Sequence, residues 1–241
     1  MTEKELLEKR ERLKIAIVCD SITIMLDDNG EFLVESSLYE IEDMKECLKN
    51  LKKFGYDCIY DEKSKKIIKK KKKEGVNMLV GKIEIKDELI IGDPCYDLDS
   101  LELGRIKDVV PGIYNCSIEY SKEKRVSMIE IKHENILKKA SDIYTVKNEF
   151  WIAVDSGQVG FFDFTFYKNY SDNQKNRERE IIYNEICNKT LSRDKYGMNS
   201  KYFVSSSGYG DGEYDVCIVR NSDRKVIGIL IEFIKEAGDD E

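Results

Sequence analysis

Trp151-Ile152-Ala153-Val154-Asp155-Ser156-Gly157-Gln158-Val159-Gly160-Phe161-Phe162-Asp163 reads as strand, turn, strand, with apolar runs on either side of an Asp-Ser-Gly mark whose glycine supplies a positive φ. Two further marks of this kind flank it, Ile91-Gly92-Asp93-Pro94-Cys95-Tyr96 and Ser205-Ser206-Ser207-Gly208-Tyr209-Gly210-Asp211-Gly212. Working outward from them, β-branched and aromatic runs place strands at 79–85, 88–92, 112–120, 125–131, 150–154, 159–166, 202–205, 213–220 and 226–234. Strands at such short intervals describe a β-sandwich or an open barrel. Helices are expected at 134–140 and 173–191, the second with Ile181, Ile182, Ile186 and Leu191 on one buried stripe. The class is therefore α+β, a β-rich sandwich or open barrel with two helical insertions, and no internal repeat is expected.

Residues 1–76 read as a separate accessory region, a small β-β-α-β-β layer ahead of a β-rich domain at 77–241. A charged helix at 2–12 leads into a β-branched strand at 14–26. Asp27-Asp28-Asn29-Gly30 then closes a hairpin with 31–34, the Asn-Gly pair suiting a type I′ turn. Ser36 or Ser37 caps a helix to Phe54, with Leu38, Ile41, Met44, Cys47, Leu48 and Leu51 on one face and Gly55 as its stop. A second hairpin pairs 56–60 with 65–70. The run Lys63 to Lys73 is the one stretch that invites a nucleic-acid or membrane-surface reading, but it lacks the aromatics and arginines that nucleic-acid sites employ, and the favoured reading is a solvated edge strand and linker. Residues 1–78 carry 17 basic and 17 acidic side chains, so the chain's formal charge of -7 falls on the remainder.

That charge argues against a general nucleic-acid binder, whose affinity comes from Lys and Arg on phosphate. No apolar run is long enough for a signal peptide or a membrane span, which makes a cytoplasmic protein without membrane attachment the expectation. Seven scattered cysteines without a Cys-x-x-Cys pair fit reduced thiols, not a disulfide framework or structural zinc. His133 is the single histidine, so a site needing two imidazoles is excluded.

Ile91-Gly92-Asp93-Pro94-Cys95-Tyr96, then Trp151 to Asp163, then Ser206-Ser207-Gly208-Tyr209-Gly210-Asp211-Gly212-Glu213-Tyr214 together resemble, in order, the blocks of a bacterial and phage family, domain of unknown function 4241. The resemblance spans about 79–233. It implies a β-rich domain that gathers the Asp-bearing turns, and it implies no established activity.

The candidate site follows from those turns. Asp93, Asp155 and Asp211 each lie at a strand end beside a glycine, and three such carboxylates with serine and carbonyl oxygens suit Mg²⁺ or Ca²⁺, or the hydroxyls and amides of a polar ligand. Cys95, Tyr96, Ser156, Ser207, Tyr209 and Tyr214 flank the same loops as further ligand-binding candidates, the tyrosines being amphipathic anchors. A Cys95–His133 nucleophile and base pair is not tied together by any motif. The expected function is a non-catalytic bacterial or phage binding protein that holds a small polar ligand or a partner protein on this Asp/Gly/Tyr loop face. The alternative is a divalent-cation-dependent hydrolase using the clustered aspartates.

Overall fold

The structure, a computed structural model, describes residues 78–135, 142–172 and 177–234, together with strands β1 (Leu13–Cys19), β2 (Ile22–Asp27), β3 (Phe32–Ser36), β4 (Cys58–Asp61) and β5 (Lys66–Lys69). The chain forms two compact units. One gathers Met1–Gly75, Asn135–Lys147 and Ile218–Lys225, and the other Val76–Glu134, Asn148–Cys217 and Val226–Glu241. The first unit thus takes in two segments beyond residues 1–76.

In the first unit β3, β2 and β1 pair antiparallel in that order, and β1 pairs in parallel with the start of β11 (Asp142–Val154), Ile15 opposite Asp142. The single strand expected at 14–26 is described as two, β1 and β2, paired antiparallel with Cys19 opposite Ile22. β4 pairs with β5 as the second hairpin, Cys58 opposite Lys69. The expected helices at 2–12 and 37–54, the helix expected at 134–140 from residue 136 on, the Asn29-Gly30 turn and the ends of the Lys63–Lys73 run lie outside the described residues, while Glu134 and Asn135 form a turn.

The second unit is an α+β sandwich of two antiparallel sheets, neither closed into a barrel. One sheet orders the end of β11, β15 (Gly212–Arg220) up to Cys217, β16 (Val226–Glu232), β10 (Val126–His133), β9 (Gly112–Tyr120) and β6 (Met78–Ile85). The other orders β13 (Tyr196–Met198), β14 (Tyr202–Ser206), β12 (Gln158–Asp163), β7 (Leu89–Gly92) and β8 (Gly104–Ile106). Ile83, Ile85, Ile129, Ile131, Ile229 and Ile231 are fully or almost fully buried, as are Phe161 and Phe203 of the second sheet.

The second sheet is buried on both faces, which is why its strands read as unbroken apolar runs. Its outer face, with Ile90, Phe162, Tyr202 and Val204, packs with Tyr167 and Tyr170 of α1 (Phe164–Asp172) and Ile186 of α2 (Arg177–Thr190). Three sequence expectations change here. The strand placed at 159–166 ends at Asp163, whose carboxylate caps α1 by accepting the Phe166 N–H at 3.2 Å. The helix placed at 173–191 is described over Arg177–Thr190 and buries Ile186, while Ile181 and Leu191 are 57% and 83% exposed. β8 and β13, three residues each, carry no periodic signal.

An internal repeat, which the sequence reading did not anticipate, runs through the β-rich part of the chain. Residues 112–134 and 212–234 align without a gap, sharing Gly112/Gly212, Tyr114/Tyr214, Ile118/Ile218, Val126/Val226, Ile129/Ile229 and Ile131/Ile231. The two hairpins share geometry as well. Both turn through a left-handed residue at φ 59°, Lys124 and Arg224, in the three-residue loop that combines a type I turn with a bulge. Tyr114 meets His133 edge-on at 5.1 Å, and Tyr214 meets Phe233 edge-on at 5.1 Å. Each tyrosine hydroxyl donates to the carbonyl four residues earlier at 2.7 Å, Val110 or Gly210. β10 pairs with its own counterpart β16 about the Glu130–Leu230 position, so that Ile129 faces Ile231 and Ile131 faces Ile229. β6, β7, β8, β9 and β10 therefore correspond to β11, β12, β14, β15 and β16, related by a local two-fold, and α1, α2 and β13 are an insertion in the second copy.

Candidate functional site

The three marked turns do meet at one end of the sandwich. Ser207 donates its N–H to the Gly157 carbonyl at 3.0 Å, and Asp93 reaches the 155–156 turn. The carboxylates, however, are not gathered around a shared space. Asp93 is fully buried. Its Oδ1 accepts the Cys95 N–H at 2.8 Å and the Ser156 hydroxyl at 2.6 Å, and its Oδ2 accepts the N–H groups of Asp155 at 2.9 Å and Ser156 at 2.6 Å.

Four donors leave Asp93 no oxygen for a cation. Among the described residues no group of three or more His, Cys, Asp and Glu side chains is placed to hold a metal ion. The cation set Asp93, Asp155 and Asp211 is corrected accordingly: Asp93 is the acceptor that closes a turn.

Its repeat counterpart is Asp163, 2% exposed, whose Oδ2 accepts the Lys86 N–H at 3.0 Å. Lys86 begins the turn between β6 and β7, as Ser156 lies in the turn between β11 and β12. Each copy's strand-end aspartate thus closes the other copy's turn.

The 93–97 loop is tied down from the helices. Tyr167 donates to the Asp93 and Tyr96 carbonyls, Tyr170 to the Pro94 carbonyl at 2.6 Å, and Arg179 bonds Asp97 Oδ1 and the Cys95 carbonyl. Burial and the adjacent Asp93 carboxylate push the Cys95 thiol up to about 12, which removes the thiolate a nucleophile needs. His133 packs on Tyr114 and lies 3.3 Å from the Pro111 carbonyl. Burial and a hydrogen bond to Asp155 raise Tyr96 above the ordinary phenol range.

The 205–212 loop is also closed internally. Ser207 is buried and donates its hydroxyl to the Gly210 carbonyl at 2.9 Å, and the Tyr214 hydroxyl donates to the carbonyls of Ser207 and Gly210. Gly208, at φ 61°, backs directly onto Phe233: a Cβ there would sit 2.8 Å from the Phe233 Cβ. Tyr209 is 65% exposed beneath the Arg125 guanidinium, 5.0 Å from its ring centre. Asp211 is exposed and stands beside Gly157. Asp211→Asn is expected to change the unfolding free energy by less than about 1 kcal/mol, since asparagine tolerates the same turn geometry. Thermal unfolding checks this, and a larger loss would make the charge itself a support of the loop.

Next to this loop lies an open groove of about 410 Å³, lined by Trp151 from β11, Glu213, Tyr214 and Asp215 from β15, Glu232 from β16, and Phe233. Trp151 is 56% exposed, and Glu213 and Asp215 are exposed. Of the nine residues singled out from the sequence, Tyr214 alone lines the groove. Trp151, Glu213, Asp215, Glu232 and Phe233 were missed, and the unrecognised repeat was the signal that could have found them. Among the described residues no helix is long and apolar enough to cross a membrane. Comparison of the chain with protein-family models, curated proteins and solved structures finds no match.

Proposed function

We propose that this chain is a non-catalytic binding protein whose site is the groove between Trp151, Tyr214 and Phe233, holding a small polar ligand or a side chain of a partner protein. The observation that carries the reading is the groove itself: three aromatic rings and three carboxylates border an open space of about 410 Å³ beside a loop fixed by its own hydrogen bonds. The resemblance to the bacterial and phage domain family implies only a β-rich domain that gathers the Asp-bearing turns. It names no reaction. A hydrolase built on the aspartates would need Asp93 as a cation ligand, and that carboxylate is already engaged by four donors.

Protein-detected NMR with a library of small polar fragments tests this reading. Saturable shifts are expected to concentrate on the Trp151 indole N–H, which belongs to the chain's one tryptophan, and on the amides of Tyr214 and Phe233. Shifts centred on residues 93–97 would move the site, and the absence of shifts anywhere would remove it.

A further inference from the structure

We propose that Glu130 selects the partner of β10: it admits β16 of the same chain and turns away β10 of another molecule.

The internal repeat creates the need for a selection. β10 pairs antiparallel with β16 about the Glu130–Leu230 position, which lies on the local two-fold. An antiparallel strand centred on such a point can also pair with a copy of itself, since a two-fold interface is self-complementary. On the face of Ile129 and Ile131 a second β10 would be an equal partner. Ile129 faces Ile231 and Ile131 faces Ile229 in the native pair. In a β10–β10 pair centred on residue 130, Ile129 of each molecule would face Ile131 of the other. That face therefore cannot tell the two partners apart.

The opposite face can. Glu130 is 2% exposed and Leu230 1%, so the native centre sets one carboxylate against an alkyl side chain, with Lys132 2.7 Å from Glu130 along the same strand. Two molecules paired through β10 would set Glu130 directly against Glu130. Like charges directly opposite destabilise a sheet, and they do so more strongly away from water. The neighbouring positions act in the same direction: Lys132 faces Gly228 in the native pair and would face the larger Met128 in the other.

The polar groups fall on one strand of the two. β10 also buries the Ser127 hydroxyl, which has no hydrogen-bond partner among the described residues, where β16 carries Ile227. Such groups weaken a core, and β16 forms the same strand with Ile227 and Leu230 in their place. Charged residues on apolar strands guard against pairing with other chains. A guard on one strand suffices, because a β10 that rejects its own kind is left for the β16 tethered to it.

Refolding of the full chain from urea, under reducing conditions and over a range of chain concentrations, tests the selection. Parent, Glu130→Leu and Glu130→Gln proteins are scored for monomer and dimer by size-exclusion chromatography with light scattering, then treated with a lysine-reactive cross-linker. The leucine variant, whose β10 has the same central residue as β16, is expected to raise the dimer fraction at matched concentration about tenfold, the scale of one relieved charge contact. The glutamine variant is expected to fall between it and the parent. Dimers of both variants are expected to carry a Lys132-to-Lys132 link, which only two molecules can supply and which a β10–β10 pair brings within reach.

Equal dimer fractions in all three proteins would overturn the proposal, as would variant dimers that lack this link. If the leucine variant recovers no monomer, the glutamine variant decides. A dimer fraction at the parent's level then overturns the selection by Glu130, and a raised fraction that carries the link upholds it.

Discussion

Asp93→Ala is expected to lower the unfolding free energy by about 4 kcal/mol, because it strands four donors in a fully buried turn. The N–H groups of Cys95, Asp155 and Ser156 and the Ser156 hydroxyl lose a charged acceptor together. Asp93→Asn keeps the shape but turns one acceptor oxygen into an NH₂ that faces donors, and about half that loss is expected. Urea unfolding of both variants measures it. A cost below about 1 kcal/mol for the alanine variant would show that water replaces the carboxylate and that the turn closes without it.

Asp163→Ala is expected to cost about 2 kcal/mol, since its carboxylate accepts two N–H groups, those of Lys86 and Phe166. The smaller number follows from the donor count. The same urea transition, scored alongside Asp93→Ala, gives the ratio. Equal losses would mean that the helix cap at Phe166 dominates, and Asp163→Asn, which can still cap α1 while disturbing the Lys86 bond, separates the two contributions.

Much of the β-rich unit was legible from residue pattern alone. Alternation and turn residues located β9 and β15 nearly to their ends, because these strands are long and bounded by Gly112 and Gly212. What failed did so for physical reasons. Phe164 and Phe166 look like a strand continuing from Phe161-Phe162 until Asp163 is recognised as a helix cap, and that depends on where its side chain turns. The aspartates were correctly read as turn residues, but sequence position cannot distinguish a carboxylate open to a ligand from one consumed by backbone donors 62 and 63 residues away. The groove was invisible to motif reading because its charges are spread over β15 and β16. It stands out only when Glu213, Asp215 and Glu232 are set against Ile113, Asn115 and Lys132.

The pairing of β10 with β16 also sets the order of events when the chain is made. β10 is buried along almost its whole length, with Val126, Met128, Ile129 and Ile131 in the core, and its partner in the sheet is encoded about one hundred residues later. At a synthesis rate of about 5–20 residues per second, the emerging first copy waits roughly 5–20 seconds with that strand's edge open. An open apolar edge is a template for pairing with another chain. The interval before residue 226 leaves the ribosome is therefore the period in which this protein is most exposed to self-association, and the closing strand, when it arrives, completes the sheet and removes the hazard in one step.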